Sequence, residues 1–570
     1  MAFIAVLLLL WMIGMAARLF YLQVLASKPV RHTATVTLPA PRGMIYDCFN
    51  KELPLALNLP AWDLAVDYKA LPEGTNRTHA AEALAEVTGK DVDEVLDIFR
   101  KACERRNRGF PLARTLDFRA VSLVDRGSVD EIPVRSFISK TDTYVRSYPQ
   151  NERLAQVIGY VDVDGNGAMG IERMYDSYLR GAPGSRQIVR NAMGAEVREL
   201  RGVAIDPTPG ADIHLTVDSR IQFVVERELR AAMEEFRSTA AWAVIQRVRT
   251  GEILAIASMP DFDLNSYAEY RSDDPCRRCY PVAAMYEPGS TMKTLTISGA
   301  INAGVVTPDT IVDAEKGAWL YGGFVLHDHP TGPISVATVI QKSSNIGTAK
   351  IALMMGNKNL EGYLRAMGIG SRVDIDLPGE ARGMLDDSRR WDKVRPTRVA
   401  IGQGVAVTAL QMVGAYATIA NGGVMMQQYV VDRIVAADGT ILLRNEPREK
   451  GHPLRASTTE KMTSMLQLVT QTGGTASRAK LPGYNVAGKT GTAQIPINGH
   501  YSSTDYWATF AGFVPAERPE IAMVVVVEKP HPENGAHTGG AVAAPVFVRI
   551  AEDVLRYLGV APSEPISDAQ

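Results

Sequence analysis

The chain has 570 residues, 46% of them hydrophobic and 22% charged, with a net charge of -2. That length allows roughly two to four domains of about 100–200 residues each. The composition excludes a wholly disordered chain, and the near-neutral charge excludes the broad basic field of a nucleic-acid binder.

In chain order, the first feature is Ala2 to Leu25, an apolar run with a single charge, Arg18. About 20 such residues span a bilayer core as a helix. No basic stretch follows Met1, and no small-x-small cleavage pattern precedes Lys28-Pro29. The segment therefore reads as an uncleaved anchor over 1–26 rather than a signal peptide. Lys28, Arg31 and Arg42 all follow the span. By charge alone they favour the opposite orientation, an imbalance that a short cytoplasmic tail before Met1 would redress.

A strand is expected at Thr33–Leu38, and helices at Asn76–Val87 and Val92–Arg100. Pro207-Thr208-Pro209-Gly210 reads as a hinge. Beyond it, Ile213–Val217 is a strand, and Asp218 caps a helix running to about Phe236. Ala241–Val248 and Glu252–Ser258, joined by Arg249-Thr250-Gly251, give a β-hairpin signal. A helical block follows between Thr291 and Leu468. Three more strands come after it, Tyr484–Gln494, Tyr506–Phe513 and Ile521–Glu528, then a closing amphipathic helix over Ala544–Leu558. Strands on both sides of a helical block must join into one sheet with helices against it, an α+β layout. Pro562–Gln570 reads as a disordered tail.

The cysteines are Cys48, Cys103, Cys276 and Cys279. They are too few for a disulfide scaffold, and no histidine cluster turns Cys276-Arg-Arg-Cys279 into a zinc site. The pair is either a local disulfide or two unpaired thiols.

The chemistry lies in three separated motifs. Ser290-Thr-Met-Lys293 opens a helix after Pro288-Gly289, with Gly304 as its C-cap. Positions i and i+3 share a helix face. A serine hydroxyl needs a neighbouring base, and a lysine serves when burial brings its pKa toward neutrality. Ser343-Ser344-Asn345 and Lys489-Thr490-Gly491-Thr492 follow in that order. S-x-x-K, S-x-N and K-T-G together form the signature of serine acyl transferases that act on penicillin. Singly, each motif is more often a cap, a turn or a strand end. In the ordered set, Ser343 relays a proton to the leaving amine and the Asn345 amide bonds a substrate peptide group. Lys489 supplies positive charge, and the hydroxyls of Thr490 and Thr492 bind the substrate carboxylate. Gly491 allows close approach of a substrate backbone, and the backbone N–H groups of Ser290 and Thr492 form the oxyanion hole.

With these motifs in place, the chain resembles the class B penicillin-binding proteins, and within them the septal, cell-division peptidoglycan D,D-transpeptidases. The likeness extends to Arg18–Gln23, Pro41–Asp47, Tyr148-Pro149, Gly159-Tyr160, Gly170-Ile171-Glu172, Gly181–Gly184, Thr250–Ala255, Gly402–Gly404, Ala420–Gly423 and Gly539–Pro545. Ser343-Ser344-Asn345 resembles the septal branch, since elongation-type relatives usually carry Ser-x-Asp there. Cys48 and Cys276-Arg-Arg-Cys279 depart from the family pattern.

The resemblance implies the penicillin-binding transpeptidase fold, an antiparallel sheet flanked by helices, over 211–560. Before it come a mixed α/β pedestal over 27–210, of dimerisation or partner-binding type, and the anchor; after it comes the tail at 561–570. It implies that Ser290 attacks the D-Ala-D-Ala bond of a stem pentapeptide on a lipid-linked precursor polymer. D-Ala leaves, and a neighbouring stem amine resolves the acyl-enzyme; β-lactams trap the same serine. The implied place is the bacterial inner membrane at the septum, single-pass, with the catalytic part outside. The implied partners are a multi-span glycan polymerase and other division proteins. No metal, cofactor or nucleic acid is implied. The competing readings are a D,D-carboxypeptidase or β-lactamase-like hydrolase, and a non-catalytic β-lactam sensor or division scaffold. The anchor, the pedestal and the absence of an obvious Glu-x-x-Leu-Asn deacylation box argue against the hydrolase, and three intact motifs against the sensor.

Overall fold

The computed structural model describes residues 2–21, 32–49, 54–107, 109–190, 196–199, 204–329, 332–533 and 535–563. The chain forms two units, neither continuous in sequence. The first takes Met1–Pro41, Pro60–Tyr144 and Gly181–Pro209; the second takes Arg42–Leu59, Val145–Arg180 and Gly210–Gln570. One of the breaks falls at Pro209/Gly210, in the hinge read from the sequence.

The first unit begins with helix α1 (Ala2–Phe20), 19 residues long. At 1.5 Å per residue it runs about 28 Å, just short of a ~30 Å hydrocarbon core. Among the described residues no helix is long and apolar enough to cross a membrane. Most of the remainder of the expected span, residues 22–25, lies outside the described residues, as do residues 564–570 of the expected tail. The expected strand at 33–38 is His32–Leu38, paired antiparallel with Gly184–Arg190. The two expected helices are Thr75–Thr88 and Val92–Glu104. Val95, Phe99, Leu84 and Phe137 share an apolar cluster there.

In the second unit, Asp218 caps helix α2 (Ser219–Phe236), its carboxylate accepting from the backbone N–H groups of Arg220 and Ile221. The hairpin follows as β1 (Ala240–Arg247) and β2 (Ile253–Met259), with Ala241 opposite Met259. Next come α3 (Met292–Asn302), α4 (Val336–Lys342), α5 (Asn345–Met355), α6 (Ala409–Ala420) and α7 (Ala456–Thr470). The chain then returns to strands, β3 (Ala487–Ile497), β4 (His500–Val514) and β5 (Ile521–Glu528), and closes with α8 (Ala543–Tyr557).

The five strands form one antiparallel sheet in the order β2-β1-β5-β4-β3. Helices α2 and α8 cover one face and α6 the other. Both faces are thus covered at the centre of the sheet, and Ile521–Val527 of β5 is buried at every position. An antiparallel strand with one wet face would alternate; this one reads as a continuous apolar run because it has none. This is the α+β layout expected from the order of elements.

Residues 42–59 and 145–180 join the second unit through long-range contacts. The short strand Ile45–Tyr46 pairs in parallel with Asp212–Leu215. A buried ionic cluster sits beside it: the fully buried carboxylate of Glu172 accepts from Arg42 Nε at 2.6 Å and from Arg146 Nε at 2.7 Å. Arg42 Nη1 also reaches Asp176 at 2.8 Å. Removing the central carboxylate would leave the buried Arg146 without an ion pair and Arg42 with Asp176 alone, a loss of about 3–5 kcal/mol for a buried pair. Glu172→Ala is therefore expected to lower the unfolding free energy by that order, read from the midpoint and slope of a denaturant titration; an unchanged midpoint would contradict the role given to the cluster.

Candidate active site

The nucleophile motif forms as a tight turn, Gly289–Thr291, running into α3. Every residue of α3 from Met292 to Ile301 is buried, so the helix is set by packing on all sides rather than by one apolar stripe. Tyr416 of α6 holds its start, the phenol donating to Thr291 O at 3.0 Å and lying 2.9 Å from Thr294 Oγ1. Ser290 thereby lines a cleft of about 560 Å³ with Ser343, Asn345, Thr490 and Thr492.

The serine-x-asparagine motif sits at a junction of two helices. Ser343 ends α4 in the left-handed region (φ 59°), a conformation that costs a non-glycine residue about 1–2 kcal/mol. Ser344 caps α5, its Oγ accepting from Gly347 N at 3.0 Å and donating to Asp328 at 2.5 Å. Asn345 is the first residue of α5, and its amide donates to His327 O at 3.0 Å.

Two fully buried lysines converge on this junction. Lys293 Nζ donates to Asn345 Oδ1 at 2.6 Å and lies 3.1 Å from Ser343 Oγ; Lys489 Nζ lies 2.9 Å from the same hydroxyl. Burial pushes Lys293 down to about 7, opposed by the Asp328 carboxylate. Lys489 is also pushed well below its ordinary value, first by burial and then by the charge of Lys293. Two buried ammonium groups cannot share one hydroxyl at low cost, so the neutral form of at least one lysine is favoured.

Lys489 lies on β3, the edge strand of the sheet. Thr490 and Thr492 point the other way from Lys489, into the cleft, as the two-residue period requires. The Thr490 hydroxyl lies 3.0 Å from that of Thr475, and the Thr492 hydroxyl accepts from Gly539 N at 3.0 Å. Gly491 faces the nucleophile turn: a Cβ there would sit 2.7 Å from Pro288 O and 3.1 Å from Thr291 Cγ2. Its missing side chain lets protein backbone, not only a substrate, approach β3. Gly289 completes this fit with φ 52° and a virtual Cβ 3.1 Å from Thr492 O.

The structure brings Ser290, Lys293, Ser343, Asn345, Lys489, Thr490 and Thr492 to one cleft. Sequence reasoning missed His327, Asp328, Thr475 and Thr538, which also line it. Their one visible signal was the Gly539-Gly540 box beside Thr538. All four cysteines are free, which decides between the two readings of Cys276 and Cys279. Burial pushes both of those thiols up to about 12.

Comparison with known proteins agrees with this geometry. The family model described as the penicillin binding protein transpeptidase domain matches residues 241–552, and that of the penicillin-binding protein dimerisation domain matches 37–215. The chain is 31% identical over 567 residues to the probable peptidoglycan D,D-transpeptidase PenA of Neisseria meningitidis, covering 98% of this chain and 92% of that one. It is 31% identical to penicillin-binding protein PbpB of Mycobacterium tuberculosis over 96% of this chain and 83% of that one. The crystal structure of penicillin binding protein 3 from Mycobacterium tuberculosis complexed with aztreonam superposes with a TM-score of 0.70 at 26% identity, covering 93% of this chain and 99% of that one.

A five-stranded antiparallel sheet between helix layers, with a serine turn docked on its edge strand, is the fold of the penicillin-recognising acyl transferases. With a dimerisation-type region ahead of that domain, the chain belongs to the class B penicillin-binding proteins.

Because Gly491 seats β3 against the serine turn, Gly491→Ala is expected to displace Ser290 and slow acylation by penicillin, by about 100-fold for a misplacement near 1 Å. Stopped-flow or gel-based labelling measures this, and a wild-type rate would show that the close approach is not needed.

Proposed function

We propose that this chain is the septal peptidoglycan D,D-transpeptidase of its bacterium, cross-linking stem peptides through an acyl-serine intermediate at Ser290. One observation carries the site assignment: Lys293 and Lys489 both meet Ser343 Oγ, at 3.1 and 2.9 Å, in the cleft that Ser290 lines. The names of the relatives, peptidoglycan D,D-transpeptidase among them, and the aztreonam and ampicillin complexes of the structural relative support the activity and its inhibition by β-lactams.

A stem pentapeptide enters along β3 as an added strand, its terminal carboxylate meeting the Thr490 and Thr492 hydroxyls. Neutral Lys293 takes the Ser290 proton as Oγ attacks the penultimate D-Ala carbonyl. The oxyanion forms against the backbone N–H groups of Ser290 and Thr492, beside the charge left on the lysine pair; one lost oxyanion donor typically costs ~2.7–4 kcal/mol. The C–N bond then breaks. D-Ala departs as an amine, taking a proton relayed from Lys293 through Ser343 Oγ. An amine from a second stem attacks the ester, loses its proton by the same route, and Ser290 Oγ regains one. No atom beyond donor and acceptor is consumed.

The domain assignment proposed with this function is an anchor at 1–26, a pedestal at 27–210, a transpeptidase domain at 211–560 and a tail at 561–570. The apolar stretch from Ala2 to Leu25 supports single-pass placement in the cytoplasmic membrane, with catalysis on the outer side at the septum. Uncross-linked, lipid-linked polymer is the donor, and a multi-span glycan polymerase with other division proteins supplies it.

Fluorescent penicillin is expected to label the protein at Ser290, with Ser290→Ala unlabelled; retained label would move the nucleophile elsewhere. A long-lived label indicates a transpeptidase, and rapid loss of label a hydrolase. Lys489→Ala is expected to slow acylation by about 100-fold or more, and an unchanged rate would remove Lys489 from the site. Since only neutral Lys293 accepts a proton and burial brings it to about 7, acylation should rise as pH increases through about 7 and level off above it. A pH–rate profile flat from 5 to 9 would exclude this base. Removing residues 1–26 should leave a soluble, penicillin-reactive protein; a fragment that fails to fold would make that helix part of the core.

A further inference from the structure

A short hairpin, Ala318–Tyr321 paired with Phe324–His327, delivers His327 and Asp328 to the wall of the Ser290 cleft. Neither residue belongs to the three motifs, yet both touch the middle one. His327 O accepts the Asn345 side-chain N–H at 3.0 Å. One oxygen of the Asp328 carboxylate accepts from Ser344 Oγ at 2.5 Å and from Ile346 N at 2.9 Å; the other accepts from His329 N at 2.8 Å. The backbone N–H of Asp328 donates to Gly317 O at 2.9 Å, which ties the residue to the base of the hairpin.

These bonds act on the junction of α4 and α5, and that junction holds the base. Among the described residues, the hydrogen-bond acceptors around Lys293 Nζ all come from it: Ser343 O at 2.5 Å, Ser343 Oγ at 3.1 Å and Asn345 Oδ1 at 2.6 Å. Ser343 is left-handed there, a conformation disfavoured for a residue with a side chain unless its surroundings impose it. With the Asn345 amide nitrogen committed to His327 O, the amide oxygen is the end left for Lys293. The Asp328 carboxylate also meets the positive end of α5, so its bond to Ile346 N is charge-assisted.

We propose that Asp328 is a positioning residue for acylation: it fixes the Ser343–Ile346 junction, and through that junction the place and orientation of the Lys293 amine. The inference rests on Lys293 being the base that activates Ser290. The charge of Asp328 adds a second effect. Burial lowers the proton affinity of Lys293, and the carboxylate partly restores it. Lys489 from β3 is the other charged group at this amine. His327, His329 and Lys342 line the same cleft, and the Tyr416 phenol meets α3 at Thr291 and Thr294. Without the carboxylate, Lys293 holds its proton less firmly, so it turns neutral at lower pH.

The test follows penicillin acylation of the full chain by stopped flow from about pH 5 to 9, separating the acylation step from the preceding binding step by its concentration dependence. Asp328→Asn keeps an oxygen for Ser344 and Ile346 but removes the charge; Asp328→Ala removes both. The acylation midpoint of Asp328→Asn is expected about one pH unit below that of the wild type. Asp328→Ala is expected to slow the acylation step by about 10- to 100-fold with binding unchanged. Partial unfolding would lower the fraction labelled and leave the midpoint of the labelled fraction in place. An Asp328→Asn midpoint equal to the wild type, an Asp328→Ala acylation step at the wild-type rate, or a loss confined to binding would overturn this inference alone. A wild-type profile without a midpoint near 7 would instead remove Lys293 as the base, and this inference with it.

Discussion

Two lysines with no solvent exposure share one serine hydroxyl, and much of the second unit serves that arrangement. Each amine left its hydration shell without gaining a direct carboxylate partner, since Asp328 acts on Lys293 only at a distance. Burial of this kind lowers proton affinity and turns a surface cation into a base. The compensation is structural: α3 is enclosed along its length and the centre of the sheet is covered on both faces, which holds both lysines away from solvent. The left-handed backbone at Ser343 is held by the same enclosure, because it is the C-cap of α4 and is followed at once by the capped start of α5.

The fit between β3 and the serine turn is the second constraint. Gly289 and Gly491 leave no side chain between two backbones, so the strand that carries Lys489 and the turn that carries Ser290 move as one body. The distance between nucleophile and strand is therefore a packing distance, set by atoms in contact rather than by a flexible side chain. Thr492 serves both parts, its carbonyl against Gly289 and its hydroxyl taking the N–H of Gly539.

What could be read in the sequence was local or periodic. Asp218 announced α2 because a carboxylate before an apolar-periodic run has one common use. Arg249-Thr250-Gly251 announced the β1–β2 hairpin, and the apolar Ile521–Glu528 run announced a strand, though its burial on both faces was seen only in the structure. The catalytic trio was legible because three short motifs in order are rarer than any one. Contacts without a pattern stayed hidden. Asp328 is one polar residue in a short strand-and-turn segment, and nothing in its spacing says that it accepts from Ser344 and the start of α5. The joining of residues 42–59 to 145–180 rests on Arg42 meeting Glu172 and Asp176, and their attachment to the rest of the second unit on contacts such as Leu154 N–H to Glu226 and Gln156 to Cys276 O; no local signal carries pairs that distant in sequence. Gly491 was recognised as a place of close approach, but the neighbouring backbone it accommodates was visible only in three dimensions.

The position of β3 at the margin of the sheet carries one more implication. A bare strand margin presents unpaired N–H and C=O groups and is a template for self-association between copies of a protein. Here that template bears Lys489 turned inward and Pro496 beside a break in the pairing with β4, and both discourage indiscriminate strand-to-strand stacking. Pro496 offers no N–H to an incoming strand, so this margin cannot template an unbroken partner strand.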